Sequence, residues 1–145
     1  MTVRRVGILV CALMMATALS GCDWTAYLAG NGRSGFNVGE SDFNPSSATN
    51  LKLAWQTSDS GSPESGVFSQ PIVADNTVYW GSFDGYERAT DMSGHLVWQT
   101  FLGHTDDPSC TDPSSAGIAS TATWQSALSA TNPTPVLFVG LGVGA

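Results

Sequence analysis

Residues able to do chemistry are few in this chain, and their densest group is His104-Thr105-Asp106-Asp107-x-x-Cys110. His and Cys are ligand types that suit zinc, and paired carboxylates suit calcium. The spacing matches no standard site for either ion, so the stretch reads as an acidic surface loop and no metal is assigned. Gly140-x-Gly142-x-Gly144 follows an apolar run. A dinucleotide fingerprint needs G-x-G-x-x-G, a following helix and an acid about 20 residues on. The spacing here differs, and a Gly-rich turn between strands is the reading. The 2 His and abundant Ser single out no Ser-His-Asp set. Cys11, Cys22 and Cys110 include no vicinal pair and no C-x-x-C-H haem site. No catalytic or cofactor-binding residue follows from residue types and spacing.

The 145 residues leave room for one ordinary domain. Acidic residues outnumber basic ones 12 to 5, for a formal charge of −7. Two of the basic residues, Arg4 and Arg5, lie in a leader expected to be removed. That leaves Arg33, Lys52 and Arg88 against all 12 acids, a charge of −9. No basic patch exists for nucleic acid or for anionic lipid, and both partners are excluded on charge. The 16 Gly and 7 Pro suit a turn-rich, all-β chain.

The leader is Met1 to Cys22. Arg4 and Arg5 form a charged start, and Val6 to Leu19 is apolar apart from Thr17. That core is short for a permanent membrane span. Leu19-Ser20-Gly21-Cys22 resembles the lipobox of bacterial lipoproteins. The resemblance implies that Cys22 becomes the mature first residue and carries lipid on its thiol. The domain would then face an extracytoplasmic space, anchored to a membrane by its acyl chains. Asp23 after that cysteine is similar to an inner-membrane retention signal of some diderm bacteria. The bland alternative is an ordinary secretory signal with Cys22 incidental. Cys11 would be discarded with the leader. Cys110 then stands alone, as a buried thiol or with a partner outside this chain.

Three segments follow: the leader 1–22, a Gly- and Asn-rich lead 23–50, and a β region 51–145. In the lead, Trp24, Tyr27, Phe36 and Phe43 are irregularly spaced aromatic pegs, expected to dock on something apolar. Asn50 to Thr57 alternates Leu51, Leu53 and Trp55 with Lys52, Ala54 and Gln56, which predicts a half-buried strand. Ser58 to Gly66 is a loop. Val67 to Trp98 predicts four strands: Phe68–Ala74, Thr77–Ser82, Tyr86–Thr90 and His95–Thr100. Turn residues separate them at Asp75-Asn76, Asp84-Gly85 and Asp91-Met92-Ser93-Gly94. Trp98 is the expected apolar anchor of the fourth strand. The pattern also repeats. Leu53-Ala54-Trp55-Gln56-Thr57 matches Leu96-Val97-Trp98-Gln99-Thr100, Phe68 to Val73 echoes Ile118 to Thr123, and Val78 to Gly81 echoes Leu137 to Gly140. Insertions are expected at Gly103–Ala116 and near Ser126–Pro135. Four-stranded units repeating at such a period are the mark of a β-propeller.

At Pro71, Val78 to Gly81, Asp84-Gly85, Ala89, Asp91, Ser93-Gly94 and Trp98 the chain resembles the quinoprotein-type (PQQ-like) β-propeller repeat. Asp23-Trp24, Arg33-Ser34-Gly35 and Leu51 to Trp55 are similar to the start of such chains. The resemblance covers about residues 23 to 145 and is best over 51 to 102. It implies an all-β, incomplete propeller of about one full blade and parts of two others, with Trp55, Trp98, Asp84, Gly85, Ala89, Asp91 and Gly94 as structural residues. It also implies a disulfide from Cys110 to a cysteine outside this chain. Such a partial ring is expected to be poorly stable alone. The polar third strand, Tyr86-Glu87-Arg88-Ala89-Thr90, departs from the family pattern. Two functions follow from the resemblance. One is a lipid-anchored binding or scaffold module with an envelope protein as partner. The alternative is the N-terminal part of a PQQ-dependent alcohol-type dehydrogenase, a quinone-dependent oxidoreductase with PQQ and calcium as cofactors. No residue here carries the latter's vicinal cysteines, calcium ligands or catalytic Asp.

Overall fold

The computed structural model describes residues 23–37, 39–40, 42–57, 66–106, 115–127, 131 and 133–141. The leader with Cys22, Asp107, Cys110 and Gly142 to Gly144 lie outside the described residues, and so do the expectations placed on them. The chain is mostly β. Helix is confined to a 3-10 turn at Tyr27–Ala29 and one α-turn at Pro45–Ala48 capped by Asn44. Among the described residues no helix is long and apolar enough to cross a membrane.

Strands β1 (Ile72–Ala74), β2 (Thr77–Gly81), β3 (Tyr86–Asp91) and β4 (Leu96–Phe101) form one antiparallel sheet in chain order. The turns explain the meander. Asp75 and Asn76 both have positive φ, 49° and 56°, and close the β1–β2 hairpin with Ala74 opposite Thr77. Two left-handed residues match the twist of the flanking strands. In the β3–β4 turn, Asp91 Oδ1 accepts the Ser93 and His95 N–H groups at 2.8 and 2.9 Å. Gly94 (φ 85°) takes a left-handed position, and a Cβ there would lie 2.8 Å from the Trp55 ring. Trp55 Nε1–H donates to Met92 O at 2.8 Å.

Three expectations need correction. The half-buried strand at Asn50 to Thr57 is absent: those residues carry no strand, and Leu51 and Leu53 are 66% and 78% exposed. Alternation supplies a face, but a strand also needs a neighbour's backbone groups, and only the Trp55 side chain finds a docking place. Trp98 is not a buried anchor. It is 38% exposed on an edge strand exposed along its whole length, with Tyr79 as its ring neighbour at 6.0 Å. Of the aromatic pegs, Tyr27, Phe36 and Phe43 are exposed, and Trp24 alone joins the sheet by backbone pairing. The first strand is also shorter than expected. Pro71 lacks an N–H for the ladder, and Phe68 instead stacks on Phe83 at 4.3 Å.

Beyond β4 come two small hairpins. Thr105–Asp106 (β5) pairs with Ser115–Ala116 (β6), within the stretch read as a loop. Thr123–Gln125 (β7) pairs with Val136–Phe138 (β8). This last hairpin repeats β1–β2 in register. Ile72 faces Tyr79 and Ala74 faces Thr77; Thr123 faces Phe138 and Gln125 faces Val136. A side-chain bracket repeats with it. Ser69 Oγ donates to Gly81 O at 2.8 Å and accepts Gly81 N–H at 3.2 Å. Ser120 Oγ donates to Gly140 O at 2.8 Å and accepts Gly140 N–H at 3.1 Å. The sequence echo set Ser69 against Ala119; the structure moves that half of the match by one residue, to Ser120.

The two units meet at their first strands. Gln70 N–H donates to Thr121 Oγ1 at 3.0 Å. The lead binds both: Trp24 pairs with Val73, and Trp124 N–H donates to Thr25 O at 2.8 Å. Ile72, Ala74, Ala89 and Ile118 are fully buried and Ala122 nearly so. Because Ser69 is buried and Ser120 exposed, the brackets should differ in weight. Ser69→Ala strands two buried backbone groups and should destabilise by about 1–3 kcal/mol, while Ser120→Ala, whose groups turn to water, should cost under about 0.5 kcal/mol. Amide exchange on the full chain measures both, and equal losses would refute the burial difference.

Candidate functional site

β3 is polar in sequence yet largely buried: Glu87, Arg88 and Thr90 are 2%, 4% and 0% exposed. Alternation along it sends Tyr86, Arg88 and Thr90 to one face and Glu87, Ala89 and Asp91 to the other. Register then sets Trp80 opposite Arg88 and Gly81 opposite Glu87. The two faces hold their charges differently.

On the first face the Arg88 guanidinium lies 5.0 Å from the Trp80 ring and 5.0 Å from the Tyr86 ring. It forms a two-pronged pair with Asp84, Nη2 to Oδ2 and Nη1 to Oδ1, the latter at 3.2 Å, and Nη1 also donates to Ser82 Oγ. Ser82 donates to Asp84 in turn, and Asp84 Oδ1 accepts Tyr86 N–H at 3.0 Å. Burial pushes the Asp84 carboxyl up, but hydrogen bonds from Arg88, Ser82 and Tyr86 N–H, with the Arg88 charge, outweigh it and leave it below the ordinary value. The β2–β3 turn between these groups is a junction. Ser82 O accepts Ile118 N–H at 3.0 Å, Gly85 O accepts Leu102 N–H at 2.8 Å, and Phe83 N–H donates to Gly66 O at 3.1 Å. Gly85 (φ 83°) has no room for a side chain, since its Cβ would lie 2.5 Å from Gly103 O.

On the second face Glu87 has no such company. Among the described residues neither carboxylate oxygen has a hydrogen-bond partner. Burial pushes its carboxyl up to about 7, and the Arg88 charge only partly opposes this. An open groove of 480 Å³ lies beside β1, lined by Trp24, Asn37, Glu40, Phe43, Gln70, Pro71 and Val73. Its polar groups are partly occupied: Glu40 Oε1 accepts the Asp42 and Phe43 N–H groups, and Gln70 Oε1 accepts Leu28 N–H.

The residues singled out in sequence are spread over this frame. Asp84 and Gly85 shape the junction. Asp91 folds the next turn; its carboxyl lies below the ordinary value, chiefly through the His95 N–H bond. Gly94 receives Trp55, and Ala89 is buried opposite Trp98. His104 Nε2 lies 3.4 Å from Asp106 Oδ1, with both side chains partly or largely exposed. Sequence reasoning missed Ser82, Glu87 and Arg88 as a group. The available signal was a charged pair, Asp84 and Arg88, spaced across a D-G turn.

The acids of the sheet do not fit a quinone-calcium site. Asp84 is held by Arg88 and Ser82, Glu87 faces Gly81, and among the described residues no three His, Cys, Asp or Glu side chains come together. Arg88, bound to Asp84 and Ser82 of its own chain, acts as a brace for the junction. Arg88→Met would leave the part-buried Asp84 without its counter-charge and should cost about 2–4 kcal/mol. The Asp84 contribution is present above the ordinary carboxylate pKa and is lost as pH falls through its depressed folded value. Asp84→Asn should therefore flatten the acid limb of the stability profile. Opening free energies of the β3 amides measure both effects; a cost under about 1 kcal/mol for Arg88→Met would remove the brace. Comparison of the chain with protein-family models, with curated proteins and with solved structures finds no match in any of the three.

Proposed function

We propose that this chain is a lipid-anchored, extracytoplasmic binding or scaffold module whose β units are parts of a quinoprotein-like β-propeller. The observation that carries the reading is the repeated unit. Two hairpins share one register and one Ser–Gly bracket, and their first strands lie together against the lead. Blades of a propeller are four-stranded meanders set around an axis by their first strands, and β1 to β4 is one such meander. The outer strand, β4, offers Leu96, Val97, Trp98 and Phe101 to a neighbour, as a further blade or an envelope protein would require. The Leu19-Ser20-Gly21-Cys22 sequence supplies the anchor, and the acidic charge keeps the domain off anionic lipid headgroups.

In a bacterial host, the wild-type chain should take up labelled fatty acid and sediment with membranes. Cys22→Ala should do neither. An unlabelled wild-type chain would overturn the anchor. Dye reduction by the full chain with reconstituted quinone and Ca²⁺, above a no-protein background, would overturn the non-enzymatic reading.

A further inference from the structure

Glu87 lies where the four-stranded sheet meets the 115–141 unit. It stands opposite Gly81, whose missing side chain leaves a space on that face. Two groups fill the space: Ile118, and Glu87 Oε2 at 2.7 Å from where a Gly81 Cβ would be. Ile118 is fully buried, and its N–H donates to Ser82 O at 3.0 Å. The carboxyl is thus enclosed at the contact between two units, without a hydrogen-bond partner among the described residues.

We propose that Glu87 is a proton-operated latch: protonated, it lets the Ile118 segment seat on the sheet, and ionised, it forces that segment to lift. Among the described residues no other group relieves the charge. Arg88 is the neighbouring cation, but it points to the opposite face of β3 and is bound to Asp84 and Ser82. β2, opposite, carries no charged side chain, with Tyr79 its one titratable group, and β4 places Thr100 across from Glu87 and has none. Residues 115–127 include no ionisable side chain. An ionised carboxylate therefore gains solvation only by reaching water, and Ile118 packs beside it at Gly81. The carboxyl, pushed up to about 7 by burial, changes charge near neutral pH. A group with a raised folded pKa favours the closed state most below its ordinary value. That contribution is lost as pH rises through the folded value.

The test is amide exchange on the full chain, corrected for the intrinsic pH dependence of exchange. From about pH 5.5 to about pH 8.5, protection of the Ile118 amide should fall about tenfold or more, while β2–β3 ladder amides hold theirs. Glu87→Gln, neutral at every pH, should abolish the fall. A pH-independent Ile118 amide, or a fall that survives in Glu87→Gln, overturns the latch. Should that variant fail to fold, the carboxyl carbon of Glu87 in the wild-type chain is followed by NMR. A midpoint coinciding with the loss of Ile118 protection supports the latch; a midpoint in the ordinary carboxylate range overturns it.

Discussion

A guanidinium in the middle strand of a sheet is tolerated when its charge is met, and Arg88 finds its counter-charge within a few residues of its own chain. Asp84, four residues back across the turn, gives it two oxygens, and Ser82 a third. Because the pair straddles the β2–β3 turn, satisfying the charge also fixes the turn. The turn in turn presents the backbone groups that hold Gly66, Leu102 and Ile118. Three separate stretches of chain thus depend on one buried ion pair. Burying such a pair need not stabilise a fold relative to an apolar substitute, but losing half of it is expensive. Its value here lies in defining one geometry for the junction.

The second organising feature is the lead. Trp24 pairs with Val73 in β1, and Thr25 accepts from Trp124 in β7, at equivalent positions of the two hairpins. One edge of the four-stranded sheet is therefore partly capped by the chain itself. The other edge, β4, has no pairing strand among the described residues and no charged or proline residue to guard it. Unguarded apolar edges invite pairing.

Much of the local architecture was legible. Asp75-Asn76, Asp84-Gly85 and Asp91 to Gly94 marked the turns because each position demands left-handed backbone or side-chain capping, properties that belong to single residues. The repeat was legible for the same reason, though the Ser69–Ser120 correspondence was offset by one, since a two-fold alternation fixes a face more firmly than a register. What pattern could not reveal was burial. Tyr86 to Thr90 is polar in sequence and gives no sign of burial, but burial in a meander follows from which strands lie in the middle. Trp98 shows the converse, a large apolar residue left exposed by its place at the edge. The Leu51 to Trp55 stretch has a strand's alternation and lacks a partner. The orphan carboxyl of Glu87 depends on Ile118 arriving from 31 positions away, and nothing local announces that contact.

A double-mutant cycle on Asp84 and Arg88 tests the junction most directly. It uses Asp84→Asn, Arg88→Met and the double variant, near pH 6 so that the Glu87 charge stays largely suppressed. The readout is the opening free energy of the Ile118 and Leu102 amides, which belong to neither residue but hang on their turn. A buried pair that organises the junction predicts a coupling of about 2 kcal/mol or more at both amides. A coupling under about 0.5 kcal/mol, the scale of an exposed pair, would contradict the account.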